Sequence, residues 1–251
     1  MKKKIGIVIP AYNEESNIIN IAKAIKKKVK NSSIIIVDDS FHNKTSDLIK
    51  KKKLKVKYIH RKKKLGRGSA VLFGLKKLLK DKSIEIFIEL DADFSHSPEE
   101  LPRNIKYFKK KSLDLLIGSR YLRKSKIANW GLSRRIFSSL ANRLASSLLK
   151  IPINDLTNGY RIYSKKAVKR IVKNCGNIGD GFIILSEILV ELYLNRLKID
   201  EIESHFVNRQ RGESSVNFRL IIESLFGLIK LYINKRKRLK SIYKKKTFKK
   251  W

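Results

Sequence analysis

Short apolar runs alternate along the chain with longer segments whose apolar positions recur every three to four residues. The runs are Ile5–Ile9, Ile34–Val37, Val56–Ile59, Ile84–Leu90 and Leu113–Ile117, and helical period is expected between them at about Glu14–Val29, Thr45–Lys53, Gly68–Leu79 and Pro98–Phe108. The runs themselves do not alternate with polar residues: Ile34-Ile35-Ile36-Val37 is apolar at every position. Both faces of such a strand must be covered, as in a parallel sheet sandwiched by helices. The pattern therefore predicts an α/β, doubly wound fold. Beyond residue 120 the alternation loosens. The sequence there predicts a helix near Ser133–Leu149, a polar turn over 154–159, a short strand Tyr160–Tyr163, helices near Lys165–Lys173 and Phe182–Asn195, and a strand near Ile199–Val207. No repeat or linker divides residues 1–215. Residues 216–251 read as a separate segment, with an amphipathic helix over Phe218–Ile233 and a Lys/Arg-rich, poorly ordered tail from Lys235 to Trp251.

In open parallel sheets, ligands bind outside the carboxyl ends of the strands, so the residues just after each run carry the functional information. They are Pro10-Ala11-Tyr12-Asn13-Glu14, Asp38-Asp39-Ser40, Asp91-Ala92-Asp93-Phe94-Ser95-His96 and Gly118-Ser119-Arg120. Carboxylates thus converge from three strand ends. Asp91 and Asp93 offer hard oxygen ligands suited to Mg²⁺ or Mn²⁺, which typically adds phosphate oxygens and water to one or two carboxylates. Helix capping accounts for Ser95 or Ser97 alone, but not for two acids at a rim already flanked by Asp38-Asp39 and Glu14. Asp39 stands where an acid in α/β nucleotide sites binds a ribose or base; an ordinary turn aspartate is the alternative. Gly66-Arg67-Gly68 opens a helix, as a phosphate-approaching or simply tight loop. Arg120, Arg134, Arg161, Arg209 and Arg211 stand out because the chain otherwise prefers lysine, and only arginine offers phosphate a planar fork. The four histidines have neither ligand spacing nor a paired nucleophile; His96 is expected to hydrogen-bond beside the metal motif, and Cys175 to be a packed thiol.

Composition narrows the setting. With 251 residues, 42% of them hydrophobic, the chain suffices for one large domain and is not disordered as a whole. A single cysteine excludes a disulfide framework or a cysteine metal cluster and fits a reducing, cytoplasmic setting. The apolar run after Lys2-Lys3-Lys4 is too short for a signal peptide. The best candidate for a span, Phe218–Ile233, is interrupted by Arg219, Glu223 and Lys230 and falls short of roughly 20 apolar residues. The net charge of +37 attracts polyanions. Most of the lysine, however, is scattered over every predicted surface, as a solvated face. A basic nucleic-acid-binding protein would have no need of acidic strand ends, and no nucleic acid partner is expected.

Taken in order, the motifs resemble those of glycosyltransferase family 2 enzymes of GT-A fold, within it the dolichol-phosphate (polyprenol-phosphate) mannosyltransferases. The segments that carry the resemblance are IPAYNEE (9–15), IVDDS (36–40), GRGSAVLFGL (66–75), ELDADFSHSPEELP (89–102), IGSRY (117–121), Trp130 to Asn142, DLTNGYRIYS (155–164) and FVNRQRGESS (206–215). The resemblance covers about residues 4–215 and implies a GT-A (Rossmann-like) mostly parallel sheet, with a C-terminal amphipathic helix after it. It implies that Pro10, Tyr12, Glu14, Val37 and Asp39 line the nucleotide pocket, and that Asp91, Ala92 and Asp93 sit at the donor diphosphate, with Asp91, Asp93 and Ser95 at the metal. Arg120 and Arg209 are implied at the donor or acceptor phosphates, with Asp93 the catalytic set, and Arg134 and Ser138 at a lipid phosphate. Two positions depart from the family pattern. Asp-Asp-x-Ser-x-Asp-Gly-Thr reads Asp38-Asp39-Ser40-Phe41-His42-Asn43-Lys44-Thr45, and the lysine that closes Arg-x-x-Gly-x-Ser-Lys is Ser215, which removes a cation expected at the diphosphate.

The implied reaction is inverting transfer of a sugar, mannose from GDP-mannose, from a nucleotide-sugar donor to a polyprenyl or dolichyl monophosphate. The alternative is a family 2 transferase that uses another sugar nucleotide such as UDP-glucose, or a soluble glycan acceptor. A lipid acceptor gives Phe218–Ile233 and the basic cluster after it a role as an interfacial helix on an anionic membrane surface, against the alternative of a core helix packed on the sheet. The protein is then expected to be cytoplasmic and peripherally bound to the cytoplasmic face of a membrane.

Overall fold

Isoleucine and valine set the architecture, because strands that are apolar on both faces fold only between two helical layers. The structure, a computed structural model, describes residues 4–129, 131–179, 181–207 and 218–247, without the side chains of residues 133, 134, 137, 218–222 and 241–247. Seven strands form the main sheet: β1 (Lys4–Ala11), β2 (Ser32–Asp38), β3 (Lys57–His60), β4 (Ile84–Glu89), β5 (Leu115–Ser119), β7 (Arg161–Ser164) and β8 (Ile199–Glu203), in the order β3-β2-β1-β4-β7-β5-β8. β7 runs antiparallel to β4 and β5, and the other neighbours are parallel.

Successive residues of β1 and β2 feed opposite layers. Val8, Ile35 and Val37 pack with Val71 and Leu75 of α3 (Arg67–Leu78), Val168 of α6 (Lys165–Asn174) and Ile184 of α7 (Ile183–Leu194). Ile7, Ile9, Ile34 and Ile36 pack with Ile18 and Ile21 of α1 (Glu15–Lys28), Ile49 of α2 (Lys44–Lys51) and Leu101 and Ile105 of α4 (Leu101–Lys110). The doubly wound α/β fold expected from the sequence is the one observed. Ser97 accepts from the Glu99 amide and caps the short 3-10 turn Pro98–Glu100 ahead of α4.

Three features differ from the sequence-based expectation. The strand expected near Ile199–Val207 breaks at Ser204, whose amide donates to Ser119 O while its hydroxyl donates to Glu100. After the break, β9 (His205–Val207) pairs instead with β6 (Lys126–Ala128), a strand too short and polar to register as an apolar run. The helix α5 (Leu132–Leu149) lies near its expected place. The basic stretch expected to be a loose tail continues α8 (Phe218–Thr247). That helix docks on the body: Leu228 and Leu231 are buried in the core, Lys235 Nζ donates to the Leu149 carbonyl at the end of α5, and Arg238 Nη1 donates to Glu191 Oε2 at 2.6 Å.

α3 lies close to β1 because Gly74 faces it. A Cβ at Gly74 would lie 2.5 Å from Val8 Cγ1 and 3.0 Å from Cγ2, inside a layer with no room to yield. Gly74→Ala should therefore lower stability by about 1–3 kcal/mol from overpacking, read as a reduced urea midpoint at unchanged m value. A midpoint equal to wild type would contradict this close approach.

Candidate active site

β4 leaves the sheet through buried Leu90 and delivers Asp91, Ala92 and Asp93 to its carboxyl edge. Ala92 is anchored in the core at 3% exposure, which fixes the two acids on either side of it. Asp93 is nearly buried, and its Oδ1 accepts from the Ser95 amide at 3.0 Å. Phe94 between them holds a left-handed φ of +62°, a conformation that non-glycine residues adopt where the surroundings impose it. Ser95 Oγ is buried without a hydrogen-bond partner. Two carboxylates and an orphaned hydroxyl at one strand end fit a hard divalent cation that takes its remaining ligands from phosphate and water. Among the described residues no cluster of three or more His, Cys, Asp or Glu forms an all-protein cage.

Asp91 is held from α3. Arg67 Nε and Nη2 lie 2.9 and 2.8 Å from its Oδ1. His96, 1% exposed, accepts from the Asp91 amide at Nδ1, and its Nε2 lies 2.8 Å from Asn158 Oδ1. That arrangement assigns the proton to Nε2. Burial lowers the His96 pKa against the pull of Asp91, keeping the ring neutral. The residue therefore ties the β4 loop to the turn ahead of β7, the hydrogen-bonding role read from the sequence.

At the end of β2, the two acids are largely satisfied internally. Asp38 is fully buried and accepts from the Ser40 amide, the Ser40 hydroxyl and the Tyr58 hydroxyl. Asp39 accepts from Arg61 Nε at 2.5 Å and Nη2 at 2.7 Å, and from the Leu65 amide at 2.9 Å. One of these three bonds reaches Oδ1 and two reach Oδ2, so Asp39 keeps acceptor capacity on Oδ1. Pro10 pairs with Val37 across β1 and β2. Val37 itself is fully buried in the core, so its side chain supports the pocket rather than facing a ligand. Half-buried Tyr12 lies under Lys64 Nζ, 4.5 Å from the ring centroid, and Glu14 accepts from Asn17 Nδ2.

Arg120, at the end of β5, forms a bidentate pair with fully buried Asp155: Nε to Oδ2 and Nη2 to Oδ1, both at 2.8 Å, with the Arg120 amide also on Oδ2. Nη2 donates to Thr157 as well, and the guanidinium lies over the Tyr121 and Phe206 rings. Burial alone would raise the Asp155 pKa; Arg120 and the surrounding amides outweigh it and leave it below the usual carboxylate range. Ser138 Oγ lies 2.9 Å from the Tyr121 hydroxyl, beside Arg120 in the chain. The Arg134 side chain, Trp130, Arg209, Arg211 and Ser215 lie outside the described residues. Arg161 is not available to a phosphate. It is fully buried and donates to the carbonyls of Asn158, Leu185 and Leu156. Arg61, Arg67 and Glu89 were missed by sequence reasoning, although arginine in a lysine-rich chain, the signal that selected Arg120, marks the first two equally.

The profile of Glycosyl transferase family 2 matches residues 6–172. The chain is 32% identical over 235 residues to a dolichol-phosphate mannosyltransferase of Pyrococcus furiosus, covering 91% of this chain and 63% of that one, so it spans a little under two thirds of that relative. It is 30% identical over 224 residues to a polyprenol monophosphomannose synthase of Mycolicibacterium smegmatis, covering 88% and 83%. Among solved structures, glucosyl-3-phosphoglycerate synthase of Mycobacterium tuberculosis, in complex with Mn²⁺, UDP and glucosyl-3-phosphoglycerate, is similar with a TM-score of 0.64 at 17% identity over 93% of this chain and 80% of that one. That likeness is one of fold, the GT-A sheet.

The Arg120–Asp155 pair has a measurable signature. Asp155→Asn leaves a buried guanidinium without its counter-ion and should cost about 3–5 kcal/mol near neutral pH. Because the folded-state pKa of Asp155 is depressed, its stabilisation is complete above the unfolded value of about 3.9 and is lost as pH falls through the lower folded value. Urea denaturation of both proteins should therefore show a gap that closes in acid; a gap independent of pH down to the acid transition would contradict the pairing.

Proposed function

We propose that this chain, which belongs to glycosyl transferase family 2, transfers mannose from GDP-mannose to a polyprenyl or dolichyl monophosphate at a membrane surface, with inversion. The observation that carries the reading is the donor set of Asp91, Asp93 and the orphaned Ser95 hydroxyl at the carboxyl edge of β4. The two relatives named for mannosyl transfer to, or synthesis of, polyprenol phosphates support the substrate pair. Asp91 and Asp93 would hold Mg²⁺ or Mn²⁺, which supplies charge neutralisation for the departing diphosphate.

The chemistry asks little of the protein in proton transfer. A phosphate acceptor is already anionic near neutral pH, so its oxygen attacks the anomeric carbon directly while the bond to the nucleoside diphosphate breaks. No general base is required, in keeping with a site whose one buried histidine is neutral and already hydrogen-bonded. Positioning and electrostatic stabilisation remain. Arg120 is held rigid by Asp155 and aromatic faces at the rim, with Tyr121 and Ser138 linked beside it for the acceptor phosphate.

A lipid acceptor is favoured over a soluble one by the outer surface of two helices. α5 exposes Leu132, Ile136, Leu140 and Leu144, a stripe at four-residue spacing, and α8 exposes Leu225, Phe226, Ile229 and Ile233. Exposed basic side chains accompany both, Arg135 and Arg143 on α5, Arg236 and Lys237 on α8. Exposed apolar area of this extent, fringed by positive charge, suits the headgroup region of an anionic leaflet. Among the described residues no helix is long and apolar enough to cross a membrane. The protein then works as a peripheral enzyme on the cytoplasmic face.

Asp93→Ala should reduce metal-dependent sugar transfer on the order of a hundredfold or more, as for loss of a main electrostatic stabiliser; wild-type turnover in that variant would remove the metal assignment. Ile136→Asp combined with Phe226→Asp should abolish co-flotation with anionic liposomes while leaving the unfolding midpoint unchanged, because both side chains are exposed. Flotation equal to wild type would exclude α5 and α8 as the membrane surface.

A further inference from the structure

Arg67 stands between two acids of one strand end and hydrogen-bonds only one of them. Its Nε and Nη2 are committed to Asp91 Oδ1. On the other side its Nη1 lies 3.7 Å from Glu89 Oε1, beyond hydrogen-bond distance. Nη1 is buried without a hydrogen-bond partner, and so are both carboxylate oxygens of Glu89, a residue with no exposure at all, on which the Arg67 charge acts across this gap together with Arg161 and the buried Tyr163 hydroxyl. Arg161 acts on Glu89 through its charge but does not hydrogen-bond it, since its Nε, Nη1 and Nη2 all donate to backbone carbonyls. An unsatisfied donor and an unsatisfied acid therefore face each other across a gap that a shift of about 1 Å would close. The slot is built for such a guanidinium: a Cβ on Gly159 would lie 2.7 Å from Arg67 Cζ, and the Phe182 ring lies 5.9 Å away.

From this geometry we propose that Arg67 is a resident counter-ion of the metal site, which holds Asp91 while no cation is bound and passes to Glu89 when a divalent cation takes Asp91. The inference rests on the reading of Asp91 as a metal ligand and adds two positioning residues to it, Arg67 and Glu89. A guanidinium and a divalent cation cannot share Asp91 Oδ1 without strong like-charge repulsion in a buried site. Glu89, two residues back on the same strand, is the acid placed to receive the displaced charge. The exchange leaves the buried guanidinium of Arg67 hydrogen-bonded to an acid in both states.

The test is Mn²⁺ binding to the full chain in excess GDP, followed by the electron paramagnetic resonance of free Mn²⁺. Glu89→Gln removes the receiving charge and should weaken Mn²⁺ binding about tenfold when Arg67 is present, and less than about twofold in an Arg67→Met background. Equal factors in the two backgrounds, or an unchanged affinity for Glu89→Gln, would overturn the exchange. A second measurement needs only the wild-type protein and one assignment variant: the Arg67 Nε–H resonance, identified by its loss in Arg67→Lys, should shift when Mg²⁺ and GDP are added. A resonance that stays in place while Mg²⁺ binds would also overturn it. No Mn²⁺ binding by wild type would sink the metal reading itself, a result distinct from either.

Discussion

Three carboxylates at the carboxyl edge of the sheet are held by arginines, and those pairs organise the loops around the site. Asp39 is paired with Arg61, Asp91 with Arg67 and Asp155 with Arg120, each arginine coming from a different element than its acid. A carboxylate withdrawn from water without a partner is costly, whereas a bidentate guanidinium satisfies both charge and geometry. Each pair therefore locks a loop: the chain after β3 to the end of β2, the start of α3 to the end of β4, and the end of β5 to the turn ahead of β7. Lysine, abundant everywhere else in this chain, cannot supply that fork.

The same constraint suits the proposed phosphate chemistry, which needs no poised acid or base. Asp39, Asp91 and Asp155 are neutralised by arginine, Asp38 is satisfied by Ser40 and Tyr58, and Asp93 lies with Ser95 where an outside cation fits. The site's histidine is buried, neutral and occupied. What remains is an array of fixed charges, suited to stabilising a departing diphosphate and to orienting an anionic acceptor. On the proposed reading, the exposed apolar faces of α5 and α8 bring that array to an acceptor held in a membrane.

The sheet was legible because Ile34–Val37 and Ile84–Leu90 can only be two-sided strands, and the acids after them could only sit at the rim. The antiparallel placement of β7 was not, since Tyr160–Tyr163 reads alike in either direction. β6 was missed because three residues with a single isoleucine, between Ser125 and Asn129, show no period, and the break at Ser204 because it depends on a distant partner, Glu100. The helix near Ser133–Leu149 was legible, but its exposed stripe was not read, and a face turned to solvent or lipid has the same four-residue spacing as one turned to a core. Asp39 and Asp91 were found as acids, yet their arginines were not, because Arg61 and Arg67 reach them only through the fold. Basic residues after Ile233 looked like a solvated tail; Lys235 and Arg238 instead fasten α8 to α5 and α7.

The most direct test of the account is a transfer assay with labelled sugar nucleotides, GDP-mannose among them, offered polyprenyl phosphate or soluble glycans, with and without Mn²⁺ or Mg²⁺. The account predicts organic-extractable product from GDP-mannose and polyprenyl phosphate that disappears on chelation of the metal. Product confined to the aqueous phase, or formed equally well in the presence of chelator, would contradict it.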